Sequence, residues 1–161
     1  MTNQNELMIK MIVDAWNGQL ARATKLFNEL TDGQIENETA PGRNTGTYLL
    51  GHLVAVHDAL FPLLGIGEKL YPSLEEVFIK NPDKSGLEKP SIKELRNYWD
   101  EVNKEMQKQF DQLTVDEWLQ KHTTVSAEDF LKEPHRNRLN VLISRTNHLA
   151  YHLGQLAYLK K

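Results

Sequence analysis

Apolar residues recur at helical intervals in four segments of the chain. The first covers about residues 6–30, with a stripe of Met8, Ile12, Ala15, Leu20, Ala23, Phe27 and Leu30 spaced mostly three to five apart. Asn3 followed by Glu6 is a capping arrangement at its start. The second covers about residues 45–64. Asn44 or Thr45 supplies its N-cap, Gly65 stops it, and Pro62 in its last turn predicts a kink. The third opens at Ser91, where Ser-Ile-Lys-Glu forms a capping box with Glu94, and carries Ile92, Leu95, Trp99, Val102, Met106, Phe110 and Leu113. The fourth covers about residues 137–159, after Pro134.

Residues 31–44 are polar, and residues 65–90 are rich in breakers (Gly65, Gly67, Pro72, Pro82, Gly86, Pro90) around one short amphipathic piece, SLEEVFIK. Residues 114–136 are mixed and hold a single helical turn at VDEWL. No alternating strand and no internal repeat is present. The aliphatic residues point the same way: 23 Leu stand against 15 Val plus Ile, and β-branched side chains lose rotamer freedom in helices. The expected fold is all-α, a four-helix bundle with long connections, as one domain over residues 1–161. Connections of this length permit a crossover, so the helix order in space stays open.

Composition then narrows the function. Nineteen Lys+Arg against 22 Asp+Glu give a net charge of −3, which lacks the basic footprint of a nucleic-acid binder. The absence of cysteine excludes disulfides, thiolate metal ligands and a protein thiol nucleophile. The N-terminal MTNQNELMIKMIVDAW carries acids within its apolar run and reads as a mature helix, not a signal peptide. No apolar stretch is expected to reach the length of a membrane span. These readings place the chain in the cytoplasm, away from membranes and nucleic acid.

Six histidines carry the candidate chemistry. His122 and His135 lie in a polar connection and read as solvated. His148-Leu-Ala-Tyr-His152 places two imidazoles one helical turn apart on one face, where they can share a metal ion at about 2 Å each. The same spacing also suits a polar face or a hydrogen-bonded core pair. Position 149 is Leu, so the Glu that a zincin peptidase needs after its first His is missing. No histidine has Glu three residues before it, as di-iron carboxylate bundles require. A third ligand must come from another helix, and His52 and His57 are the candidates. Five residues apart, they differ in direction by about 140° and cannot both face one ion. The stripe of Leu49, Leu53, Val56 and Leu60 makes His57 the more inward of the two. Trp16 and Trp99 are expected in the core.

The chain resembles the DinB/YfiT-like superfamily of bacterial four-helix metalloproteins. Gly51-His52-Leu53 is similar to the family's single helix-two histidine. His148-Leu-Ala-Tyr-His152-Leu-Gly-Gln155 is similar to its last-helix pair and the Gly-Gln often following it. Thr31-Asp-Gly-Gln34 is similar to its turn after helix one. The aromatic residue often found ahead of helix two is missing from GRNTGTYLL. The resemblance implies a metal site of His52, His148 and His152, against the angular preference for His57, which becomes a neighbour of the site or of a substrate cleft, or else a hydrogen-bonded core residue. Tyr151 and Gln155 flank the pair, either facing a ligand or serving as surface and packing residues.

Three imidazoles leave a coordination position for water or substrate, and zinc or nickel suits nitrogen ligands. The resemblance implies a small-molecule substrate, with a low-molecular-weight thiol as cosubstrate of a transferase or isomerase, and a homodimer. The competing expectations are a metal-dependent hydrolase and a metal-bridged structural or stress-related interaction module without catalysis.

Overall fold

The computed structural model describes residues 3–160; Met1, Thr2 and Lys161, which the expected domain included, lie outside it. Four long helices form the body: α1, Gln4–Glu29; α2, Gly46–Asp58; α3, Ile92–Phe110; and α4, Arg138–Leu156. No strand forms among the described residues, only isolated bridges at Glu38–Thr45 and Lys121–Asn137. The α1 helix packs chiefly on α4, α2 on α3, and α2 also meets α4.

Local chemistry sets the ends of these helices. Asn3, Thr45, Ser91 and Asn137 each accept a backbone N–H of the following turn, satisfying donors that a helix start leaves unpaired. Ser91 and Glu94 complete the expected capping box. Pro62 has no N–H to offer the Asp58 carbonyl, and the second helical segment divides at Ala59 into α2 and a short piece, Leu60–Leu64. Gly65 ends that piece in the left-handed region at φ 67°. The C-terminus of α1 is closed from a distance: the Arg96 guanidinium donates to the carbonyls of Phe27 and Leu30. Trp99 Nε1 donates to Thr24 Oγ1 at 2.9 Å, tying α3 to α1.

The buried face of α1 is Ile9, Trp16, Ala23 and Phe27, with Leu30 buried just past its end, while Met8 and Ala15, expected in its stripe, are exposed. Leu7 through Val13 offers several overlapping apolar faces, and the one that turns inward is that of Ile9, seven residues before the buried Trp16. The Ala127–Lys132 helix was absent from the sequence reading because it buries no residue and leaves no periodic signal. Contrary to expectation, Gly46–Leu64 is long and apolar enough to cross a membrane by length and composition, but 72% of that window is buried within the fold. The α2 helix is the central one. Only Thr47 and His52 among its residues are not buried.

Close approach at one point shapes the site. A Cβ on Gly51 would lie 2.3 Å from the Phe78 ring, so only glycine lets Leu74–Phe78, the predicted amphipathic piece, seat against α2. Phe78 is fully buried there.

Candidate metal centre

His52 leaves α2 on its open side and meets His148 and His152 from α4. His148 Nε2 lies 3.2 Å from His52 Nε2 and 3.1 Å from His152 Nε2, and the three ligating atoms all fall within 4.8 Å of one another. The rings are half-buried. Tyr48, one turn before His52, stacks on it with centroids 6.1 Å apart.

The outer ring nitrogens fix the tautomers. His52 Nδ1 is 2.7 Å from the Phe78 carbonyl oxygen. A carbonyl only accepts, so the proton of the neutral ring sits on Nδ1 and Nε2 presents a lone pair. His152 Nδ1 is 2.7 Å from Gln155 Oε1 and donates to it in the same way. Two lone pairs therefore face His148 Nε2, which has one position for a proton and can donate to only one of them. The alternative, an imidazolium, is disfavoured. Burial holds His52 and His152 below the ordinary imidazole range. Burial, with the charges of His152, His52 and Arg145, brings His148 down to about 4.

These observations test whether a metal fits. Nitrogen ligands about 2 Å from one tetrahedral ion stand about 3.3 Å apart, close to the two contacts seen here. A cation among the three Nε2 atoms removes the lone-pair conflict. Carboxylate or carbonyl partners on outer ring nitrogens are the usual support for ligating histidines, and two of the three have such a partner. The residues fit a divalent ion. Among the described residues no other cluster of His, Asp or Glu has ligand geometry, and this one contains no fourth His, Asp or Glu.

The remaining histidines separate from the centre. His57 is fully buried between Trp16 and Trp99, with ring centroids 4.8 and 5.1 Å away. Asn103 Nδ2 donates to the Trp99 carbonyl, which turns Oδ1 toward His57 Nδ1 at 2.8 Å. His57 is thus the hydrogen-bonded core residue of the alternatives above, and its Nε2 has no partner. Burial drives it down to about 3. His122 lies beside Thr124, His135 is exposed, and neither joins the cluster. Tyr151 is exposed, whereas Gln155 contacts a ring of the centre.

An open cleft of about 520 Å³ adjoins this side of α4, with Thr39, Ala40, Arg43, Tyr151, Gln155 and Tyr158 in its walls. It reaches the two flanking residues but none of the three histidines. Three participants escaped sequence reasoning. The Phe78 carbonyl has no side-chain signature, and Asn103 looked like one more polar residue on α3. Arg145 could have been found, since it stands three residues before His148 on the same face of α4.

By class, this is an all-α bundle protein with a three-histidine cluster, compatible with one metal ion, across its α2–α4 seam. A model of the DinB superfamily matches residues 15–156, and the chain belongs to that superfamily. No curated protein matches it.

Proposed function

We propose that the protein is a metal-dependent enzyme, with zinc or nickel on His52, His148 and His152, that acts as a thiol-dependent S-transferase or isomerase. The observation that carries this reading is a cluster of three imidazoles with no fourth His, Asp or Glu among the described residues, the arrangement of catalytic rather than closed structural sites. A divalent ion held there supplies a Lewis acid that lowers the pKa of a bound thiol. The Phe78 carbonyl and Gln155 hold two of the rings in orientation, and Tyr48 stacks against the first. A chain without cysteine is compatible with a thiol that arrives with the cosubstrate. Hydrolysis is the weaker reading, because the position next to His148 is the fully buried Leu149 and no carboxylate stands in the cluster as general base. The cytoplasm, where small thiols are kept reduced, is the proposed compartment. A second copy of the chain is the proposed partner, supported by exposed Leu7, Met8 and Met11 on α1.

Elemental analysis of protein purified without chelator or metal-affinity tag tests the site. We expect about one zinc or nickel per chain in the wild type and in His122→Ala, and loss of it in His52→Ala and in His148→Ala, since an open site has three protein ligands to lose. Equal metal in all four proteins refutes the site. Metal without consumption of any thiol in the presence of electrophiles leaves the structural module as the reading.

A further inference from the structure

Four arginines of this chain are half-buried, and three have acceptors. Arg96 spends its guanidinium on the carbonyls of Phe27 and Leu30 and on Asp32, Arg136 pairs with Glu133, and Arg138 donates to the Glu117 carbonyl. Arg145 is the exception. Its Nε is buried without a partner, as is that of Arg138, but unlike Arg138 no hydrogen bond or ion pair among the described residues engages any part of its side chain. An arginine keeps its charge and its five donors under all ordinary conditions, so a partly desolvated guanidinium with nothing to bind is an unmet demand for an anion.

Its position gives that demand a purpose. Arg145, His148 and His152 lie three and four residues apart on one face of α4. The Arg145 charge acts on His52, on His57 and on His148. No carboxylate is among the charges shifting these groups or the other ligand, His152, or Arg145 itself. A divalent ion on the triad would therefore share this side of α4 with the Arg145 guanidinium, and no carboxylate is among the charges acting on either. An anionic group on the ligand would supply the compensating charge.

We infer that Arg145 recognises a carboxylate on the thiol cosubstrate, so that the protein selects acidic thiols over neutral ones. This rests on the thiol-dependent reading above. The planar guanidinium fork suits a carboxylate, which it can hold through two parallel hydrogen bonds. A charge-assisted hydrogen bond of this kind corresponds to a preference of about 10- to 100-fold.

The test is calorimetric titration of the nickel-loaded protein with 3-mercaptopropionate and with its neutral counterpart 3-mercaptopropan-1-ol, with metal content measured on each sample. The wild type should bind the acidic thiol about 10- to 100-fold more tightly. Arg145→Gln should bind both alike while keeping wild-type metal content, and Arg145→Lys, which keeps the charge but loses the fork, should fall between. Arg43→Gln, in the neighbouring cleft, should keep the full preference. Equal binding of the two thiols by the wild type overturns the inference and leaves the thiol reading intact, as does an undiminished preference in Arg145→Gln. If Arg145→Gln does not fold, the wild type and Arg145→Lys decide, an undiminished preference in the lysine variant counting against the fork. Binding of neither thiol overturns the thiol reading itself, and this inference with it.

Discussion

Replacing His57 by glutamine isolates the consequence of enclosing an imidazole in the core. The ring is fully buried, bonded at Nδ1 to Asn103 and flanked by two tryptophans, and burial takes it from 6.5 down to about 3. Above pH 6.5 it is neutral in both folded and unfolded chains, and its titration does not affect stability. As the pH falls below 6.5 the unfolded chain takes up a proton that the folded chain refuses until about pH 3, so stability is lost progressively across that interval. At pH 5 the unfolded imidazole is about 1.5 units below its pKa, which amounts to about 2 kcal/mol at 1.36 kcal/mol per unit. Glutamine can still donate to Asn103 but does not titrate. Urea denaturation of metal-free wild type and His57→Gln, each at pH 7 and pH 5, gives the four stabilities needed. The variant starts lower because it loses packing against Trp16 and Trp99, and that loss cancels in the comparison of slopes. The wild type should lose about 2 kcal/mol more than the variant between the two pH values. Parallel losses would refute the account of His57 as a neutral core residue.

Three further outcomes follow, two from contacts around the centre and one from the exposed face of α1. Gly51→Ala drives a methyl group into the buried Phe78 ring and should cost about 1–3 kcal/mol in urea denaturation. Because the Phe78 carbonyl holds His52, the same variant should also bind zinc less tightly, whereas Gly18→Ala, with nothing within 4 Å of the new Cβ, should do neither. Gln155→Leu removes the acceptor on His152 Nδ1 and should weaken zinc or nickel about 10- to 100-fold in competition with a chromophoric chelator, with secondary structure unchanged by circular dichroism. Leu7→Lys with Met11→Lys should convert a dimer to a monomer by light scattering if α1 carries the proposed contact, and an unchanged mass would place it elsewhere.

Helix existence was legible from spacing and punctuation. Ser91 with Glu94, Thr45, Asn137 and Gly65 marked ends that the structure keeps, because capping is a local bargain between neighbouring residues. Facing was less legible. On α1 the apolar residues from Leu7 to Val13 fit more than one stripe, and only the packed fold shows that Ile9, in line with Trp16, is the one buried. The Ala127–Lys132 helix shows the opposite limit, since a helix that buries nothing owes its existence to a serine cap and surrounding loops. At the centre, the α4 pair was visible as a four-residue spacing, while its supports were not. A main-chain carbonyl from Phe78 and the empty side of Arg145 are properties of the assembled fold.

The two histidines of α2 show why inwardness is a poor guide to ligands in a bundle. Angular reasoning ranks His57 as the more buried, and it is. That burial leaves its ring packed between aromatic rings of α1 and α3, with one nitrogen spent on Asn103 and the other enclosed away from any acidic or imidazole partner within bonding distance. His52 sits about 140° around the helix, where α2 is only half covered and α4 brings its own pair across. Three things favour a ligand: a lone pair aimed outward from its helix, a partner on its other nitrogen to hold the tautomer, which His148 lacks, and further donors on a neighbouring element. His52 has all three, through Phe78 and the α4 histidines. The edge of an apolar stripe meets these conditions more readily than its middle, because only at the edge do two helices face each other without filling the space between them.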